Sequence, residues 1–221
     1  MKKFLAEFLG SLLLGASVVG SGIMASVLTG DIALQLFINM TVTVLALFLV
    51  ISLFNPISGG FFNPLVTLTD LLSRKISLKT AVGLVLTEVL GALAGVCLAN
   101  LMFNRKAIDL SQYDRVGNYL LLAEVVATAG LVLVIQLLRS QNQKHQIPMM
   151  LAAWIGCAFF FTSSTAFANP AITFARSWSN TFAGISMESV PKFIAAQIIG
   201  ALLGVLLSTL LTREKKHESS P

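Results

Sequence analysis

Two phrases place an amide side chain directly before a proline: FFNPLVTLTD at 61–70 and FANPAITFAR at 167–176. Asparagine is a strong helix N-cap, and proline suits the first helical position, where its missing N–H would have had no partner. Each phrase therefore starts a helix whose positive end carries an outward amide, Asn63 ahead of Pro64 and Leu65, and Asn169 ahead of Pro170 and Ala171. That chemistry suits hydrogen-bonded passage. Amide donors orient a polar solute, while two converging helix dipoles repel cations and interrupt a proton wire. The first helix is predicted to run from Pro64 to about Leu72, the second from Pro170 to about Ser179. Neither crosses a hydrocarbon core of about 30 Å at about 1.5 Å per residue, so each is a half-helix that must be buried in protein or line a wet cavity. A third dipeptide, Asn55-Pro56, has no counterpart and is expected to form the turn ending a longer helix.

The elements that must hold these half-helices are membrane spans. The 221 residues are 56% hydrophobic and 11% charged, with mean hydropathy +0.84. Charged residues are absent between Asp31 and Asp70, between Lys144 and Arg176, and between Lys192 and Arg213. Apolar runs of that length must be helical, because lipid offers the backbone no hydrogen-bond partner. Six spans are predicted, at 4–28, 33–54, 79–102, 119–139, 148–165 and 189–211. Lys2, Lys3, Arg74, Lys75, Lys79, Arg139, Lys144, Arg213, Lys215 and Lys216 fall on one side, against Arg105, Lys106, Arg115, Arg176 and Lys192 on the other. The positive-inside rule then puts both termini in the cytoplasm. The net charge of +5 reads as orientation bias, and no cluster of basic and aromatic residues points to nucleic acid. A cleavable leader is disfavoured by Glu7, which interrupts the first apolar run. Cys97 and Cys157 are expected to be free thiols.

The second half of the chain repeats the first. TEVLGALAGV at 87–96 lies over AQIIGALLGV at 196–205, NPLVTLT at 63–69 over NPAITFA at 169–175, and AEFLGSLLL at 6–14 over AEVVATAGL at 123–131. The single domain, 1–221, is thus expected to hold one three-span unit at about 4–102 and a second at about 119–211. Three is odd, so the second unit is inverted and the two half-helices enter the membrane from opposite faces. Gly91, Ala92 and Gly95 mirror Gly200, Ala201 and Gly204, a small-residue spacing that lets helices approach closely.

With AEFLG near the start, SGGFFNPLVT in the first half and NPA at 169–171, nearly the whole chain resembles the aquaporin, or major intrinsic protein, family. The resemblance implies an all-α membrane protein of six spans and two re-entrant half-helices, assembled as a homotetramer with one pore per protomer. Leu65 departs from the usual alanine, a change expected to narrow or reorient the first junction. Counting from the motifs as the family does, the solute filter falls at Thr43, Cys157, Ala166 and Ile172, with Ile172 where the family usually has arginine. Such a ring is expected to be wider and less polar than a water filter. Arg176 lies one turn beyond Ile172 and has two readings, a snorkelling interfacial anchor or a relocated vestibule charge.

Glu7 and Glu124 correspond across the repeat, and the resemblance implies that they accept hydrogen bonds from the re-entrant backbone. Glu88 corresponds to Gln197 and reads either as a protonated stand-in for an amide or as a proton-coupled site. Phe159, Phe160 and Phe161 are expected to pack their span. His145 and His217 have no ligand-spaced partners, and no phosphate loop or nucleophile–base set occurs, so neither metal, cofactor nor catalysis is expected. The expected function is a passive channel for small uncharged solutes: glycerol-like polyols, water, and by analogy metalloid hydroxides or methylated arsenicals. The competing class is a secondary transporter, since inverted repeats and broken helices also build carriers. A bacterial inner membrane is the expected location.

Overall fold

The computed structural model describes residues 1–213, and Lys215, Lys216 and His217 lie outside the described residues. Eight α-helices are present among them: α1 Lys2–Leu28, α2 Ile32–Ser58, α3 Pro64–Leu72, α4 Leu78–Met102, α5 Asn118–Ser140, α6 Ile147–Phe161, α7 Pro170–Arg176 and α8 Val190–Arg213. α1, α2, α4, α5 and α8 are each long and apolar enough to span a membrane. α6, at 15 residues, is about 22 Å long and completes the bundle beside α2 and α5. The chain is an all-α, multi-pass membrane protein. Leucines 45, 86, 122 and 206 stand more than half exposed on its outer wall, the surface that lipid covers.

Three expected boundaries move. α2 continues through Asn55-Pro56 to Ser58 and ends where Gly59 takes a left-handed φ of 102°. Proline removes one N–H from the final turn, a loss that the end of a helix tolerates, so the dipeptide lies inside the helix. α6 stops at Phe161, because Thr162 turns extended and Thr165 and Ala166 take positive φ, folding the chain back toward Asn169. α7 ends at Arg176 with Ser177 as its cap.

The closest helix pairs are α1 with α4 and α5 with α8. Both rely on missing side chains. A Cβ on Gly95 would overlap the Leu12 carbonyl oxygen of α1, and one on Gly204 would overlap the Ala129 carbonyl oxygen of α5. The half-helices α3 and α7 lie inside the frame made by these pairs. At the end opposite the termini, the 103–117 loop crosses the exit of α7 and is pinned by Asp109 N to Trp178 O at 3.1 Å and Ser111 N to Ser177 O at 2.9 Å. At the termini's end, Arg139 of α5 donates to Asp70 of α3 at 2.5 Å.

Candidate functional site

Asn63 and Asn169 cap their half-helices as expected, their Oδ1 atoms accepting from Leu65 N at 3.0 Å and from Ala171 N at 3.0 Å. Their amides meet across the bundle. Asn63 Nδ2 donates to Ala168 O at 2.9 Å, and Asn169 Nδ2 donates to Phe62 O at 2.8 Å. Each amide thus takes the carbonyl just before the other asparagine, which ties the two helix starts tip to tip. An amide has two N–H donors. One is spent on this junction, and the second remains for the cavity that both asparagines line.

The carbonyls point correctly because the backbone before each motif is strained. Phe62 and Ala168 both have φ of 46°, a left-handed conformation that costs a residue with a Cβ about 1–2 kcal/mol. Buried carboxylates hold it. Glu7 accepts from Phe61 N at 3.1 Å and Phe62 N at 2.7 Å, and Glu124 accepts from Phe167 N at 2.9 Å and Ala168 N at 3.0 Å. Gln197 adds a third donor to Glu124 at 2.6 Å and also reaches Thr173 Oγ1 at 2.9 Å. Its counterpart Glu88 accepts from Thr67 Oγ1 at 2.8 Å, while its Oε2 has no partner among the described residues. Glu88 is fully buried and does not line the cavity.

The cavity has a volume of about 60 Å³ and runs beside the asparagine junction. Leu14 and Val18 of α1, Leu47 and Ile51 of α2, and Ile155 and Phe159 of α6 give it an apolar wall. Its polar groups are Thr43, Asn63, Asn169 and Arg176. The Thr43 hydroxyl is buried and has no hydrogen-bond partner among the described residues.

Of the four expected filter positions, Thr43, Ala166 and Ile172 line the cavity, whereas Cys157 is exposed on the outside of α6. At about 100° per residue, Ile155 and Phe159 share one face and Cys157, two places from each, falls on the opposite one. Counting twelve residues back from the motif therefore lands on the outer face of α6, and Phe159 lines the cavity instead of only packing its span.

Arg176 does not snorkel. It is 3% exposed, its Nε donates to Ala183 O, and its guanidinium carbon sits 3.5 Å from the Phe167 ring centroid. Two further side chains escaped the sequence reading, Phe61 and Phe167, each two residues before a motif asparagine and each lining the cavity. The repeat itself carried that signal, since FFNP lies over FANP. Phe61, Val66 and Leu151 also border a second cavity of about 450 Å³ at the termini's end, where Lys3 lies 5.0 Å from the Phe61 ring.

Comparison with known proteins gives a consistent family. The Major intrinsic protein family model matches residues 1–166. Aquaglyceroporin AqpS of Rhizobium meliloti (strain 1021) is 41% identical over 223 residues, covering 100% of this chain and 95% of that relative. Glycerol uptake facilitator protein-like 6 of Lactiplantibacillus plantarum is 26% identical, covering 97% of this chain and 100% of its own length. Among solved structures, the aquaglyceroporin from Plasmodium falciparum superposes with a TM-score of 0.71 at 18% identity, covering 95% of this chain and 96% of that one.

Proposed function

Since the chain belongs to the major intrinsic protein family, we infer that it is a passive channel for small uncharged solutes such as glycerol and water, and not an enzyme. Solutes pass through the cavity at the junction of α3 and α7. The observation that carries this route is the reciprocal pair of amide bonds from Asn63 to Ala168 O and from Asn169 to Phe62 O, which leaves each amide one donor beside the cavity. Going inward from the end opposite the termini, a solute meets Arg176, then the level of Ile172, Ala166 and Thr43, then the two asparagines, then Phe61. Thr43, Ala166 and Ile172 form the filter, with Phe159 as its fourth member. Hydrogen bonds come from one side and apolar contact from the other, which fits a polyol with hydroxyls along one edge.

Glu7, Glu124 and Gln197 brace the re-entrant loops, and Glu88 braces α3 through Thr67. Both termini face the cytoplasm, in keeping with the basic residues on that side. Four protomers assemble, each with its own passage, in a cell membrane. Undissociated metalloid hydroxides match a small polyol in size and hydrogen-bonding pattern and belong to the same solute class.

Stopped-flow light scattering of liposomes containing the purified protein tests the reading. Glycerol flux is expected to rise linearly with concentration and to ignore ion gradients. Saturable uptake driven by an ion gradient overturns the channel in favour of a carrier. Asn169→Ala is expected to lower glycerol flux about tenfold or more, because both a donor and the tie between the helix starts are lost.

A further inference from the structure

Two cations near the mouth opposite the termini have an unusual setting. Arg176 is anchored through Nε to Ala183 O, and Arg115, half-buried in the crossing loop, is anchored through Nε to Gly184 O at 3.1 Å. Consecutive carbonyls thus fix the two guanidiniums. Both also stack on one ring, their carbon atoms lying 3.5 Å and 4.8 Å from the Phe167 centroid. The terminal nitrogens of both side chains make no hydrogen bond to the described residues. No carboxylate among those residues forms an ion pair with either arginine. Glu124 spends its oxygens on Phe167 N, Ala168 N and Gln197, and the exposed Asp114 and Glu188 form no ion pair with either arginine.

Holding two like charges against one ring, away from bulk water, is unfavourable until an anion joins them. A stacked guanidinium keeps its in-plane N–H edge free, and that edge matches a pair of oxygens on one carbon. Leu14, Val18, Leu47 and Ile172 line the same cavity as Arg176 and give it apolar surface, while Arg115 stands outside that lining, on the same phenylalanine ring. We propose that Arg115 and Arg176, set by Phe167, form a binding site for the carboxylate of a short monocarboxylic acid whose alkyl end lies against that wall. The site rests on the passage described above and makes these two arginines its oxyanion-selecting entrance.

The test uses full-length protein in liposomes at about pH 8, where propionate is ionised. Glycerol entry is recorded with propionate added outside, and with propanamide as the uncharged counterpart. Propionate is expected to slow glycerol entry about twofold at a concentration equal to its Kd, and propanamide to act far more weakly. Arg115→Gln and Arg176→Gln, each compared with its own uninhibited rate, are expected to need about tenfold or more propionate for the same effect. Arg176→Lys keeps the charge without the fork and covers the case in which the Gln variant fails to fold. Equal action of propionate and propanamide, or unchanged sensitivity in the variants, overturns the site while leaving the channel standing. If wild-type protein passes no glycerol, the channel reading falls. Thermal unfolding in detergent then decides the site alone: stabilisation by propionate over chloride that Arg115→Gln abolishes supports it, and its absence overturns it.

Discussion

Ile172 sits three residues after Asn169 and faces the cavity, where a longer polar side chain would compete with the solute for about 60 Å³ of space. Ile172→Arg would place a third guanidinium one turn from Arg176, adding bulk and like-charge repulsion beside the cavity. Glycerol permeability is expected to fall about tenfold or more, and water permeability less, in stopped-flow measurements on liposomes. The α6 side chains give a sharper geometric test, because Phe159 faces the passage and Cys157 faces away. Phe159→Ala is expected to raise the permeability of polyols longer than glycerol several-fold. Cys157→Ala should keep glycerol and polyol rates within about twofold of wild type, as a substitution on an outer face does. If the two variants exchanged phenotypes, the rotation of α6 would be wrong. This is also where the sequence was least legible. Positions next to an asparagine motif are counted within one helix or turn, whereas the α6 residue is counted back through the 162–168 segment, whose left-handed turns at Thr165, Ala166 and Ala168 break the helical phase.

The half-helices depend on bracing that nearly repeats. At α7, Glu124, Gln197 and Thr173 form a continuous chain of hydrogen bonds, with Gln197 Nε2 donating to both neighbours. At α3 the equivalent chain breaks, because Glu88 Oε2 has no partner among the described residues and nothing links Glu88 to Glu7. Glu88→Gln replaces an unpaired buried oxygen with an amide donor and is expected to stabilise the protein by about 1 kcal/mol, read as a rise in unfolding temperature in detergent. Glu124→Ala acts oppositely. It leaves Phe167 N and Ala168 N without an acceptor and Gln197 Nε2 with Thr173 alone, so a loss of about 3–5 kcal/mol is expected, with glycerol flux lost alongside. Both half-helix starts and the Glu7/Glu124 correspondence were legible in the sequence, since capping is local chemistry and the repeat gives each residue a partner to check against. The strained φ at Phe62 and Ala168 was not, because nothing in a phenylalanine or an alanine announces a left-handed backbone. Only the carboxylate that clamps it reveals the cause.

Across the whole protein, positive charge stands near both ends of the two cavities that meet at Phe61, Val66 and Leu151. Lys3, Lys75, Arg139 and Lys144 surround the cavity at the termini's end with Asp70 as the acid among its lining residues, and Asp70 is already paired with Arg139 and Lys75. Arg115 and Arg176 guard the other end without an acidic partner among the described residues. Between them the converging starts of α3 and α7 add their positive dipole ends. Cation exclusion is therefore expected to be spread along the passage and not to require an arginine at position 172. Fixed charges in a narrow low-dielectric path act on an ion far more strongly than in water, yet leave a neutral polyol nearly untouched. Wild-type protein in liposomes is accordingly expected to pass glycerol with no measurable sodium or proton conductance. Replacing Arg115 and Arg176 together by glutamine should raise proton leak about tenfold, measured with an enclosed pH dye under a valinomycin-set potential, while Lys3→Gln changes it little because Lys75, Arg139 and Lys144 remain beside the same mouth. No added leak in the double variant would show that exclusion resides at the asparagine junction alone, and a leak in the wild type would show that the passage does not exclude protons.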